Sequence, residues 1–441
     1  MTAGLMTLAA FMLLTAYYLL KTVREPLILL QGGAEVKLYA RAGQALLMVG
    51  VVYLYGELAR RFGRMKLLAI VFLFFISNLA LFAILAGTSL PIGLAFFLWV
   101  GVFSYTVVAQ FWALAADIYS EEQGKRLFPI IGAGSSIGAV IGGLFAKSLV
   151  PFGPQVLMGT AVVILLACVG VIVWVERRSI VAVKRNEEKH PDEPMAKEGV
   201  WHHLFHDRYL LYIAGLVVFL NWVNSTGEYL LDRTLVVAAK DAASHGASAT
   251  AYIGAFKADY YVWYNSIGLG LELFVVSRVF KYVGVRNALY VMPIFALIAY
   301  GGVVFLPVLA VMRLVKIGEN SLQYSLQDTS RHALFLVATR IEKFVGKTAT
   351  DTIAVRIGAI MSTLMVFVGA RLEWSTSTFA AISVGLSVMW LGFVILIGRE
   401  HRRRGVARDQ EARAEVASSR PKEPSSSVAA NVAIIASPKS A

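Results

Sequence analysis

Charge is what this sequence has least of. Asp, Glu, Lys and Arg together make up 16% of its 441 residues, against 58% hydrophobic residues, and the mean hydropathy is +0.67. A water-soluble domain is roughly a quarter charged and under half apolar, so this chain has more apolar surface than a core can hide. Cysteine is nearly absent. Cys168 stands alone in an apolar run, which excludes an intramolecular disulfide and leaves it a packing role. Metal-ligand spacing, a Walker phosphate loop and a nucleophile–base arrangement are all missing, so the sequence calls for no metal, no cofactor and no enzyme. His202, His203 and His206 lie in the one long hydrophilic insert, where solvation is the plain reading.

What is present is apolar matter in lengths that suit a bilayer. About 20 mostly apolar residues cross about 30 Å of hydrocarbon. Such stretches run at 67–86, 92–108, 156–175, 288–306, around 360–370 and at 379–398. More polar stretches near 5–30, 38–58, 127–148, 208–236, 251–276 and 308–328 bring the expected total to about twelve spans. In lipid the spans must be helices, which gives an all-α, polytopic membrane protein. Residues 5–20 lack the basic start of a signal peptide, and their helical pattern continues through Lys21 and Arg24.

The net charge of +13 would suggest nucleic acid as the partner of a soluble protein. Here its distribution argues otherwise. Arg60, Arg61, Arg64 and Lys66 follow the second span, Arg278, Lys281 and Arg286 the eighth, and Arg399, Arg402, Arg403 and Arg404 the last, while alternate loops such as 86–91 and 306–308 carry no charge. Basic residues gather on the cytoplasmic side. Both termini are therefore expected in the cytoplasm of a cell (inner) membrane protein whose partners are lipid and a small solute, not nucleic acid.

The expected organisation is a six-helix half over 1–175, a hydrophilic cytoplasmic linker over 176–207, a second six-helix half over 208–400 and a disordered basic tail over 401–441. GELARRFGRMKLL at 56–68 and VSRVFKYVGVRNAL at 276–289 occupy equivalent places in the halves. Two six-span halves related as parallel repeats are the signature of the major facilitator architecture. The simpler account of these loops is positive-inside topology alone.

Ionisable groups within spans are costly to insert, and they mark function by default. Lys21, Arg24 and Glu25 share one helical face in LLKTVREPLILL, although Arg24 and Glu25 could simply pair to hold the helix. Asp117 lies late in the fourth span, ahead of the charged turn Glu121, Glu122, Lys125 and Arg126. Glu228 and Asp232 stand four apart, followed in the next span by Lys257, Asp259, Tyr260, Tyr261 and Tyr264. The tyrosines could stack on a flat base or belong to an interfacial aromatic belt. Arg313, Lys316, Glu319, Gln323 and Gln327 descend a helix at steps of three and four, with Lys347, Asp351 and Arg356 beyond. Bases in both halves predict an electropositive central cavity that takes an anion, since arginine's fork suits phosphate or carboxylate. The glycine-rich run GAGSSIGAVIGG at 132–143 has no lysine and no preceding strand, so it is read as close helix packing rather than a phosphate loop.

Three of these stretches resemble motifs of the ATP:ADP antiporter family, the nucleotide transporters of plastids and intracellular bacteria with their free-living bacterial relatives. LLKTVREPL is similar to its basic–acidic first-span pattern at Arg24 and Glu25. FWALAADIYSEEQGKRLFPIIGAG is similar to its F-W…E-x-x-K-x-F-x-P pattern, and KFVGKTATD to its K-x-K-G-K-x-x-x-D pattern, placing Lys343, Lys347 and Asp351. Gln123 stands where that family has an acid, and one of the three lysines is missing. The resemblance implies exchange of nucleotides of the ATP/ADP type by alternating access. Lys21, Arg24, Lys257, Tyr261, Arg313, Lys316, Lys347 and Arg356 are the expected substrate-binding residues. Glu25, Asp117, Glu228, Asp232, Glu319 and Asp351 are the expected salt-bridge or coupling partners. The alternatives are a proton-coupled carrier of another organic anion or phosphorylated metabolite, and a non-transporting membrane scaffold or sensor.

Overall fold

Backbone N–H and C=O groups surrounded by lipid must bond to one another, and a helix satisfies them within one segment. The computed structural model describes residues 2–119, 121–183, 208–334 and 349–419, and among these it holds helices and no strand. Twelve rods follow in chain order: α1 (2–32), α2 (34–61), α3 (Arg64–Leu85), α4 (Gly93–Ile118), α5 (Glu121–Leu149) and α6 (Pro154–Val183), then α7 (Arg208–Ser244), α8 (249–282), α9 (Val285–Phe305), α10 (309–334), α11 (349–371) and α12 (Thr376–Ser419). Rods α1 and α2 are divided only at Gly33, whose φ of 75° and ψ of −178° a side chain would strain.

Eight stretches, the first covering α1 and α2 together, are long and apolar enough to cross a membrane. The rods outside that set are α8, α10 and α11, and they carry Lys257, Arg313, Lys316, Glu319 and Arg356. Each also contains a π-helical turn, at Glu272–Val276, Gln323–Gln327 and Ala349–Ala354 respectively. Such wide turns recur where helices carry function.

Burial is inverted relative to a soluble protein. Lys257 and Lys316 are wholly buried, whereas Phe305, Ile84 and Ile298 are 88%, 71% and 68% exposed. The apolar side chains form one cluster drawn almost wholly from residues 6–175 and a second drawn mainly from 209–397. The tail differs from expectation. Helix α12 continues to Ser419 rather than giving way to disorder at 401, because the sequence there is rich in Ala, Arg and Glu, all strong helix formers. Residues 184–207 of the expected linker and 420–441 of the tail lie outside the described residues.

The glycine-rich run forms a seam on α5. A methyl group on Gly134 would lie 2.6 Å from Thr7 Cγ2, one on Gly138 would run into the Phe11 carbonyl, and one on Gly142 would lie 2.8 Å from Thr15 Cα. Small residues at steps of four thus let α1 and α5 touch backbone to backbone. Replacing Gly138 with valine should force the pair apart and cut the thermal stability of the purified protein sharply. Gly132→Val, which meets nothing within 4 Å, should leave it nearly unchanged; equal losses in the two variants would refute the seam.

Candidate functional site

The break at Gly33 turns α2 back along α1 and brings Lys37 against α7, inside the bundle. There Lys37 Nζ lies 2.6 Å from Asp232 Oδ2 and 3.6 Å from Glu228 Oε1, and donates to Glu25 Oε2. Lys257 on α8 approaches the same three carboxylates, at 2.6 Å from Asp232 Oδ1, 3.1 Å from Glu228 Oε1 and 3.8 Å from Glu25 Oε2. Arg24 Nε closes the group at 3.1 Å from Glu25 Oε1, its guanidinium over the Phe97 ring. Three cations and three carboxylates therefore make one neutral knot. Five of the six groups are buried, and Glu228 is partly so.

Burial dictates this arrangement, since an unpaired charge out of water is far costlier than a paired one. The two sides of the knot are unequal. Arg24, Glu25 and Lys37 on α1 and α2 sum to one positive charge; Glu228, Asp232 and Lys257 on α7 and α8 sum to one negative charge. Neither side is neutral without the other. The three carboxylates have oxygens within 4.8 Å of one another, a spacing that could hold a metal ion. The ammonium groups of Lys37 and Lys257 occupy that position here.

A polar thread continues from the knot. Tyr260 donates to Glu228 Oε2 at 3.4 Å and accepts from Asn320 Nδ2 at 2.5 Å. Asn224 donates to Asn320 Oδ1 at 3.0 Å, and its carbonyl accepts from Lys316 at 3.1 Å. Lys316 and the Tyr300 hydroxyl both reach Glu319 Oε2 at 2.7 Å. The knot, a second buried ion pair and helices α7 to α10 thus share one hydrogen-bonded network, in which removal of any member strands others.

Towards the end of the bundle that carries the basic loops lies a cavity of about 210 Å³ between α1, α5, α8 and α10, lined in part by Tyr18, Ser135, Tyr264, Asn265 and Tyr324. Lys21 stands between it and the knot, donating to the Tyr264 hydroxyl at 2.8 Å, with its ammonium 4.4 Å from the Tyr261 ring centroid and 5.0 Å from that of Tyr18. These cation–π contacts take the place of a carboxylate partner.

Of the expected residues, Arg24, Glu25, Glu228, Asp232 and Lys257 meet in the knot, Lys316 and Glu319 join through the thread, and Tyr261 covers Lys21. Three do not meet them. Asp117 is exposed one residue before α4 ends, because that helix stops at Ile118 rather than carrying the acid inward. Arg313 pairs with Asp259, whose other oxygen takes Lys147 at 2.6 Å on a half-exposed flank. Arg356 donates to the Ala45 carbonyl of α2. Lys347 and the side chain of Asp351 lie outside the described residues. The residue of the knot that sequence reasoning missed is Lys37. It sits in QGGAEVKLY, which reads as the turn between two spans; the paired glycines were the available sign that the chain reverses there tightly enough to return a lysine to the interior.

A profile of the Major Facilitator Superfamily matches residues 3–327. Among solved structures, the chain is similar to the nucleoside transporter NupG (TM-score 0.62, 9% identity, 91% of this chain and 98% of that one). It is also similar to the POT family transporter PepTSo (0.62, 12%, 91% and 98%) and to a D-xylose-proton symporter (0.57, 14%, 89% and 96%). At such identities the likeness concerns the fold alone. No curated protein sequence matches the chain.

Breaking one side of the knot leaves a buried charge uncompensated, at a cost of about 3–5 kcal/mol. Lys257→Met should therefore lower thermal stability markedly, and the double change Lys257→Met with Asp232→Asn should restore a good part of it. A double variant no more stable than the single one would show that the pair does not act as a unit.

Proposed function

The chain belongs to the Major Facilitator Superfamily, and from that premise we propose that it carries nucleotide-type organic anions across a cell (inner) membrane by alternating access. It is a multi-pass membrane transporter of that type and not an enzyme. The observation that carries the reading is the ionic knot. It draws α1 and α2 against α7 and α8 at the end where those pairs turn, while the cavity lies on the other side, towards the basic loops. With the termini and basic loops in the cytoplasm, this is a carrier closed to the outside and turned inward. Passage to the opposite state requires the knot to part, which uncovers a positive face on α1 and α2 and a negative face on α7 and α8. An anion that replaces the departing carboxylates on the positive face stabilises that transition, so solute and salt bridges exchange. Support for a nucleotide in particular comes from the motifs around Arg24 and Glu25 and from the tyrosines beside Lys21.

The clustering of three carboxylates favours a second reading, a proton-coupled carrier of another organic anion. Protonation of any one of them removes a partner from Lys37 or Lys257 and loosens the knot without a counter-substrate.

Liposomes holding the purified protein and loaded with ADP should take up labelled ATP, and Lys257→Gln should slow uptake at least tenfold. Uptake driven by a pH gradient into ADP-free liposomes would select the second reading, and absence of uptake of any nucleotide would remove the substrate claim.

A further inference from the structure

The interior holds more cations than the knot can use. Glu25, Glu228, Asp232 and Glu319 are matched by Arg24, Lys37, Lys257 and Lys316. Two further cations remain on α1 and α2. Lys21 and Arg41 are both half-buried, and among the described residues neither has a carboxylate within 4.0 Å. Among the described residues the sole hydrogen bond of Lys21 goes to the Tyr264 hydroxyl. Arg41 lies four residues along α2 from Lys37, on the same helical face, as Lys21 lies four residues along α1 from Glu25, so the antiparallel course of the two helices brings both cations to one side of the knot.

We infer that Lys21 and Arg41, with the rings of Tyr18, Tyr261, Tyr264 and Tyr324, form a ligand seat for a flat aromatic ring bearing one doubly charged anionic group, the class of a nucleoside monophosphate rather than a polyphosphate. The inference rests on the organic-anion reading above and narrows it. Two half-buried cations with no carboxylate partner among the described residues favour a ligand that brings about two negative charges, and a phosphate monoester carries about −1.5 to −2 at neutral pH. A triphosphate brings more negative charge than these two cations balance, and Arg24, Lys37, Lys257 and Lys316 are already held by carboxylates.

The cavity agrees in size and character. About 150 Å³ suffices for benzene, so 210 Å³ admits a heteroaromatic ring and little more. Tyr264 and Tyr324 have ring centroids 5.9 Å apart at 32°, offering neighbouring faces for stacking. The carboxylate on the wall, Glu272, is exposed at the rim, eight residues or about 12 Å along α8 from Tyr264, where water screens it.

The test uses the full-length protein in detergent at pH 7, with ligand-induced thermal shifts titrated for AMP, ATP, adenosine and ribose 5-phosphate. AMP should bind at least tenfold more tightly than each of the other three. Lys21→Gln and Arg41→Gln should each weaken AMP at least tenfold, while Lys147→Gln, on the exposed flank, should not. Among the described residues Arg41 takes part in no ion pair, so its variant tests the seat even if Lys21→Gln fails to fold. ATP binding more tightly than AMP, or AMP binding that survives either substitution, overturns the seat as described and leaves the organic-anion carrier standing. If none of the four ligands shifts the wild-type protein, both the seat and the nucleotide reading fall.

Discussion

The molecule depends on a charge imbalance that only docking corrects. Arg24, Glu25 and Lys37 leave one side of the bundle positive by one, and Glu228, Asp232 and Lys257 leave the other negative by one. In a low-dielectric interior each side is costly alone, and the approach of α1 and α2 to α7 and α8 removes the cost of both. A neutral knot assembled from two charged parts is strong enough to close one end of the bundle. It remains reversible, because anything that supplies a substitute charge, or a proton, lowers the cost of separation. Closure and release follow from the same ledger.

The rest of the fold serves that contact. The break at Gly33 reverses the chain within a residue or two and returns Lys37 to the depth of Glu25. The glycine seam of α5 lets α1 approach closely enough for its polar face to be held in place, and on the same helix Gly143 brings α5 against Val262 of α8. The polar rods α8 and α10 tolerate their charges because the thread of Tyr260, Asn320 and Asn224 satisfies them in protein rather than in lipid. The exposed apolar residues of the outer faces meet the bilayer, so the interior is free to be polar.

Much of this was legible in one dimension. Hydrophobic length gave the twelve rods, and spacing placed Arg24 beside Glu25 and Glu228 four residues from Asp232. Partnership was not legible, because it is set by which helices face one another. Arg313 looks equivalent to Lys316 in the sequence, three residues and nearly one turn away, yet it turns to Asp259 and Lys147 on the flank while Lys316 turns inward. Asp117 looks internal until the end of its helix is known. Lys37 and Arg41 lie just beyond a turn, in a stretch whose polarity is explained equally well by a loop, and only the fold shows them inside.

The central claim is that the knot holds one end of the bundle shut. Spin labels on cysteines introduced at Ser89 and His245, exposed in the α3–α4 and α7–α8 connections at that end, report the separation by pulsed electron resonance; the buried Cys168 does not compete for label. The wild-type protein should give one dominant short distance, and Glu25→Gln combined with Asp232→Asn should shift the population to longer distances. An unchanged distribution in the double variant would contradict the account.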